Sequence, residues 1–159
     1  MEDAMSVEKV KAYFKQFGIA ERVLELSQSS ATVEEAAHAL HTDSCRIAKT
    51  LSFDVDGRTV LVVASGDVRI DNSKYKAEFG KKAAMILPAE LAMRVGHEAG
   101  GVCPFALPEN VEVYLDVSLK RFETVFPACG SSNSTIELTI SELELYAKPR
   151  KWIDIGKLT

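Results

Sequence analysis

The stretch TLSFDVDGRTVLVVAS, residues 50–65, constrains the fold of this chain more than any other. Asp56-Gly57 is the dipeptide that a two-residue type I′ hairpin demands, because both central positions need positive φ. The runs on either side are therefore expected to pair as antiparallel strands. From Val60 to Ala64 the second run is apolar without alternation, the pattern of a strand buried on both faces. A sheet containing such a strand must be covered on both sides. At 159 residues the chain has the length for one such domain, over residues 1–159.

The flanking patterns supply the cover. Val7, Val10, Phe14 and Phe17 recur at helical spacing, with Gly18 as a stop. Arg22–Ser27 is a short strand candidate. Thr32 and Glu35 form a capping box that opens a helix carrying Ala36, Ala37 and Leu40, and Thr42 or Asp43 caps a second short helix. DNSKYKAEFG is a helix capped by Asp71 or Asn72 and stopped by Gly80. Ala83–Ile86 reads as a strand, and Pro88 opens a helix that ends at Gly96. VEVYLD alternates Val111, Val113 and Leu115 as a strand. A short helix at SLKRF follows, then strands at ETVFPA and STIELTI. A second capping box, Ser141 to Glu144, starts the last helix, and KWIDI closes as an edge strand. Strands and helices mix without strict βαβ alternation, which predicts a single α/β (α+β) domain on a mixed sheet.

Composition excludes several functions. Cys45, Cys103 and Cys129 are an odd set of three without paired spacing, which fits a reducing compartment better than a disulfide framework. His38, His41 and His97 make no zinc pattern with them, so neither a metal nor another cofactor is expected. No apolar run approaches the roughly 20 residues of a membrane span. The N-terminal MEDAMSVEKVK is not a secretory signal, and a cytoplasmic protein is expected. A net charge of −4 argues against sequence-blind wrapping of nucleic acid. It leaves room for a local basic patch that meets one end of a nucleic acid.

Three stretches can carry chemistry. In CRIAKTLSF, Lys49 stands where a helix hands over to a buried strand; its stem can simply snorkel there, or its ammonium can face an oxyanion or phosphate. In ASGDVRID, Asp67 shapes a turn and Asp71 caps the next helix. Arg69, Lys74, Lys76, Lys81 and Lys82 form a basic surface nearby. The segment HEAGGVCPFALPE, residues 97–109, concentrates backbone-shaping residues. Its adjacent glycines allow amides to come close to a ligand, and Pro104 stiffens the wall. Cys103 with His97 invites a nucleophile, but no Cys-His signature surrounds the pair, so a small pocket-lining side chain is the better assignment. PACGSSNS, residues 127–134, is a further small-residue loop.

Taken in order, RIAKTLSF, VLVVASGDVRID, GGVCPFAL, PACGSSNSTIELT and WIDI resemble the YbaK/ProX family of aminoacyl-tRNA deacylases, related to the editing domain of bacterial prolyl-tRNA synthetase. The resemblance runs from about Ala20 to Ile155. It implies a curved mixed sheet approaching a barrel with helices outside, and hydrolysis of an amino acid wrongly esterified to tRNA. It assigns the family's signature lysine to Lys49 and its Gly-Gly-x-x-Pro loop to Gly100, Gly101 and Pro104. The family's small-residue loop falls on Ala128, Cys129 and Gly130; Ser131 and Ser132 follow where many relatives carry a charge or glycine.

An aminoacyl ester is already activated, so its hydrolysis needs a held water and oxyanion donors rather than an enzymic nucleophile or a metal. The resulting expectation is a free-standing hydrolase acting at the aminoacyl-tRNA 3′ end. Lys49, Gly100 and Gly101 are its catalytic groups, and Cys103, Pro104, Phe105, Ala128, Cys129, Gly130 and Ser131 hold a small cargo such as Ala, Cys, Ser or Pro. The basic surface, or a partner aminoacyl-tRNA synthetase, provides affinity for tRNA. The rival readings are a non-catalytic module that binds aminoacyl-tRNA or a synthetase, and thiol chemistry at Cys103.

Overall fold

The computed structural model describes residues 2–159. In chain order its elements are α1 (Glu2–Lys15), β1 (Leu24–Glu25), α2 (Val33–Leu40), β2 (Ile47–Val55), β3 (Arg58–Ser65), β4 (Val68–Ile70), α3 (Asn72–Phe79), α4 (Leu91–Arg94), β5 (Glu112–Asp116), β6 (Thr124–Pro127), β7 (Ser134–Thr135), β8 (Leu138–Thr139), α5 (Ile140–Ala147), β9 (Lys151–Ile153) and β10 (Gly156–Leu158). The hairpin forms as its turn dictates. Asp56 and Gly57 stand at φ +53° and +84°, and β2 and β3 pair antiparallel from Ala48↔Ser65 to Val55↔Arg58.

That hairpin is the centre of a six-stranded mixed sheet ordered β8-β6-β2-β3-β5-β9, which curls into a half-barrel. β6 joins β2, β5 joins β3 and β9 joins β5, all in parallel. Two antiparallel ladders, β1 with β7 and β4 with β10, extend it at the margins. Val60 to Ala64 are at most 1% exposed, because both faces of β3 are covered. On one face Leu61, Val63, Val113 and Leu115 pack with Val10 and Phe14 of α1 and with Phe105. On the other, Phe53, Val60, Val62 and Tyr114 pack against Tyr75 of α3. α2 closes a third cluster by setting Ala36 and Ala37 against Ile47 and Phe126.

Several local expectations need correction. Ala83–Ile86 makes a single bridge, Phe53↔Met85, rather than a strand; Pro88, two residues on, cannot donate to a continued ladder. STIELTI splits because it changes partner, from β1 at Ser134–Thr135 to β6 at Leu138–Thr139. Arg22–Ser27 shrinks to Leu24–Glu25 for the same reason: only two residues of β7 face it. VEVYLD is buried on both faces of its strand, Glu112 and Tyr114 included. The segments after Thr42 and at SLKRF are 3₁₀ turns, over Ser44–Arg46 and Val117–Arg121.

The second capping box also lies elsewhere than expected. Thr139 Oγ1 accepts from the Glu142 amide at 3.1 Å, and the Glu142 carboxylate accepts from the Thr139 amide at 2.9 Å. Arg22 donates to both Glu142 oxygens and holds the box in that register. The first box, Thr32 with Glu35, and the Asp71 cap form as the sequence predicts.

Candidate functional site

A cleft of about 270 Å³ opens where β2 meets three small-residue segments. One is the approach to α2, residues 30–33. The second is the glycine loop, through Ala99, Gly100 and Val102. The third is the end of β6 with β7, through Phe126, Ala128, Ser134 and Thr135. Ile86, Pro88 and Leu91 close the remaining side.

β2 supplies Lys49, Thr50 and Ser52 to this cleft. Lys49 is third in the strand, not at a helix end. Its Nζ donates to the Val68 carbonyl on β4. Half-burial pushes the Lys49 ammonium below its ordinary pKa, against the opposing pull of the Asp67 and Glu34 carboxylates. An ammonium has three donors, so two remain once Val68 is served. Thr50 Oγ1 is buried with no hydrogen-bond partner among the described residues.

Sequence reasoning passed over Thr50, Ser52 and Thr135. The signal available for the first two was a pair of hydroxyls at alternate positions of a strand otherwise apolar but for Lys49 and Asp54, where a buried face has no ordinary use for them.

The two glycines do different things. Gly100 lies at φ +90°, in the region that disfavours side chains, and its amide donates to no other described residue. Gly101 is spent on packing: a Cβ there would stand 2.6 Å from the backbone of Gly130 and Ser131. Its amide donates to the Glu98 carbonyl at 3.0 Å, so Gly101 has no free donor for an oxyanion.

Of the residues assigned to the substrate, Ala128 reaches the cleft and six do not. Cys103, Pro104, Phe105, Cys129, Gly130 and Ser131 are all buried behind its wall. Cys103, Phe105 and Cys129 are fully enclosed in the main core. Ser131 turns inward to Ser134 Oγ at 2.6 Å and Asn133 Oδ1 at 2.9 Å.

His97 organises this wall. Its Nε2–H donates to the Phe105 carbonyl at 2.8 Å, and its Nδ1 accepts from the Ser6 hydroxyl. Burial lowers its pKa. Cys103 Sγ lies 3.4 Å from Nε2, the nitrogen that already carries a proton. Burial pushes the thiol up to about 12. This is the reverse of what thiol nucleophiles need, which is a nearby base and a depressed pKa.

The basic surface is partly committed elsewhere. Lys74 pairs with Asp154 at 3.1 Å, and Lys81 pairs with Asp56 on the distant hairpin turn. Arg69 is exposed on β4 directly across from Lys157 of β10, a cation the sequence reading did not include. Asp67 and Asp71 take the structural roles expected of them. Among the described residues no three His, Cys, Asp or Glu side chains are grouped as metal ligands, and no helix is long and apolar enough to cross a membrane.

The family model for the aminoacyl-tRNA editing domain matches residues 27–145. Those residues hold β2, the glycine loop and every segment that lines the cleft. The chain belongs to the aminoacyl-tRNA editing domain family. It is 52% identical over 154 residues to the uncharacterized protein YwhH of Bacillus subtilis (strain 168), covering 96% of this chain and 98% of that one. It is 30% identical over 121 residues to a proline–tRNA ligase of Geobacillus sp. (strain WCH70), matching 70% of this chain and 21% of the ligase. A solved structure described as "Crystal structure of a putative trans-editing enzyme for prolyl tRNA synthetase" superposes with a TM-score of 0.85 at 27% identity, over 96% of this chain and 97% of that one.

Proposed function

We propose that this chain is a trans-acting deacylase that hydrolyses the ester joining a small, wrongly attached amino acid to the 3′ end of tRNA. Water adds to the ester carbonyl, the bond to the ribose oxygen breaks, and free amino acid and tRNA leave. The observation that carries this reading is the cleft itself. Half-buried Lys49 and Gly100, whose amide donates to no other described residue, line a space that suits an aminoacyl group, below the 300–1,000 Å³ usual for larger ligands.

In this mechanism the Gly100 amide donates to the developing oxyanion, and Lys49 orients the ester carbonyl or the terminal phosphate. No enzymic nucleophile and no metal are needed, because the ester is already activated. The tRNA's own 2′-hydroxyl helps to activate the water. Cargo is selected by size: Ile47, Ala48, Ala128 and Phe126 leave room for Ala, Cys, Ser or Pro. Synthetases discriminate poorly among small apolar side chains, which gives such an activity its use. In this reading the exposed cations Arg69, Lys76, Lys82 and Lys157 meet acceptor-stem phosphates. The relative described as a trans-editing enzyme, matched over nearly its whole chain, supports action apart from a synthetase.

The test is release of amino acid from tRNAs charged with Ala, Cys, Ser and Pro, by wild type and Lys49→Ala. One cargo should be released by wild type, and the variant should lose about 100-fold or more in rate while staying folded. Binding of every charged tRNA without release of any would make the protein a binding module instead.

A further inference from the structure

Asp67 stands next in the chain to Val68, whose carbonyl holds Lys49. A carboxylate so near a lysine would ordinarily close an ion pair on it. Here it does not. Arg121, from the turn after β5, donates to Asp67 Oδ1 at 2.6 Å and Oδ2 at 3.0 Å. The Ser65 hydroxyl donates to Oδ1 at 2.7 Å and itself accepts from Arg121 at 2.6 Å.

The turn has little freedom to change this arrangement. A Cβ at Gly66 would stand 2.1 Å from the Ser44 carbonyl oxygen, and the Thr159 amide and hydroxyl both donate to the Asp67 carbonyl, at 2.9 and 3.1 Å. Arg121 is itself steadied by the Ser118 carbonyl at 2.9 Å and by the face of Phe122. This much apparatus on a partly exposed aspartate contributes little to stability by itself. It does determine which cation the carboxylate serves.

We infer that Arg121 is a positioning residue for the cleft: by occupying both oxygens of Asp67 it keeps that carboxylate off Lys49, so that the lysine's remaining donors stay available to a ligand. The inference rests on the role proposed for Lys49 only where it touches catalysis; the arrangement of charges stands apart from it. The charged and titratable groups around the pair are Glu34 from α2, Asp67 from the β3–β4 turn, and Cys45 and Asp116, which both act on Arg121. Glu34 and Asp67 are the two acting on Lys49, and Asp67 is the stronger.

The experiment follows the Lys49 side chain by NMR in protein labelled at the lysine Cε carbons, with Lys49→Met to assign the signal. In Arg121→Met, Asp67 is released and closes on Lys49, and the Lys49 pKa rises by about one unit. Adding Asp67→Asn to that variant reverses the rise. Deacylation on the preferred charged tRNA should fall about 10- to 100-fold in Arg121→Met, mainly in kcat. It should recover in the double variant, which a purely structural role for Arg121 would not allow. A Lys49 pKa that does not move in Arg121→Met, or an activity loss that the second substitution leaves in place, overturns the inference. A pKa that moves and reverts while deacylation stays constant upholds the charge arrangement and removes Lys49 from catalysis.

Discussion

With no exposed surface and a thiol pushed up to about 12, Cys103 has neither the access nor the ionisation that alkylation requires. Native protein should therefore react with iodoacetamide at Cys45, which is partly exposed, and not at Cys103 until it is unfolded. Cys103→Ser should retain deacylation within a few-fold, because the side chain faces the core. It should cost about 1–3 kcal/mol in denaturant unfolding for burying a hydroxyl where a thiol packed. Lys49 is the opposite case. Its worth lies in an ammonium kept only half-desolvated and served by a single carbonyl, so its removal should register in turnover and hardly in stability.

At the scale of elements, helix starts and loop contacts make separable predictions. Thr139→Ala and Thr32→Ala should each cost about 1 kcal/mol in unfolding free energy, and Ser141→Ala close to nothing, since Ser141 caps no helix. Gly101→Ala should cost about 1–3 kcal/mol and disturb the cleft wall, because backbone stands where the new methyl would go. What the sequence showed and what it hid follow from range. Turn dipeptides, caps and apolar runs are local, so the hairpin, α2 and α3 were legible. TISELE contains two overlapping box patterns, and residues outside it separate them: Arg22, far away in the chain, holds Glu142, while the Trp152 indole donates to Glu144. The same holds for the cleft. That the loops at Gly100 and Ala128 meet was visible through the family resemblance. That Cys103, Phe105 and Ser131 turn away from it depends on the packing of α1 and His97, which no local pattern carries.

For the molecule as a whole, pH ties the fold to its buried and paired groups. Arg22 holds the Glu142 carboxyl down to about 2, and burial lowers His97. Both groups have folded-state pKa values below their unfolded ones. Each stabilising contribution is therefore complete above the unfolded value and is lost as pH falls through the folded one. Stability should be greatest at about pH 7–8 and decline on acidification, first as unfolding lets His97 take up a proton and later as Glu142 protonates; it should decline again in alkali, as unfolding lets the buried Cys103 thiol ionise. A urea titration of wild type and Arg22→Gln between pH 3 and 8 should show the variant's deficit shrinking at the acid end.

If the ester is cut in the cleft beside Lys49, blocking that cleft must stop the reaction, and Ala99 offers the most direct test. It is exposed and lines the cleft. Single-turnover release from the preferred mischarged tRNA should fall at least about 100-fold in Ala99→Trp, with the thermal unfolding midpoint unchanged. Wild-type release by that plugged variant would place the chemistry somewhere other than this cleft.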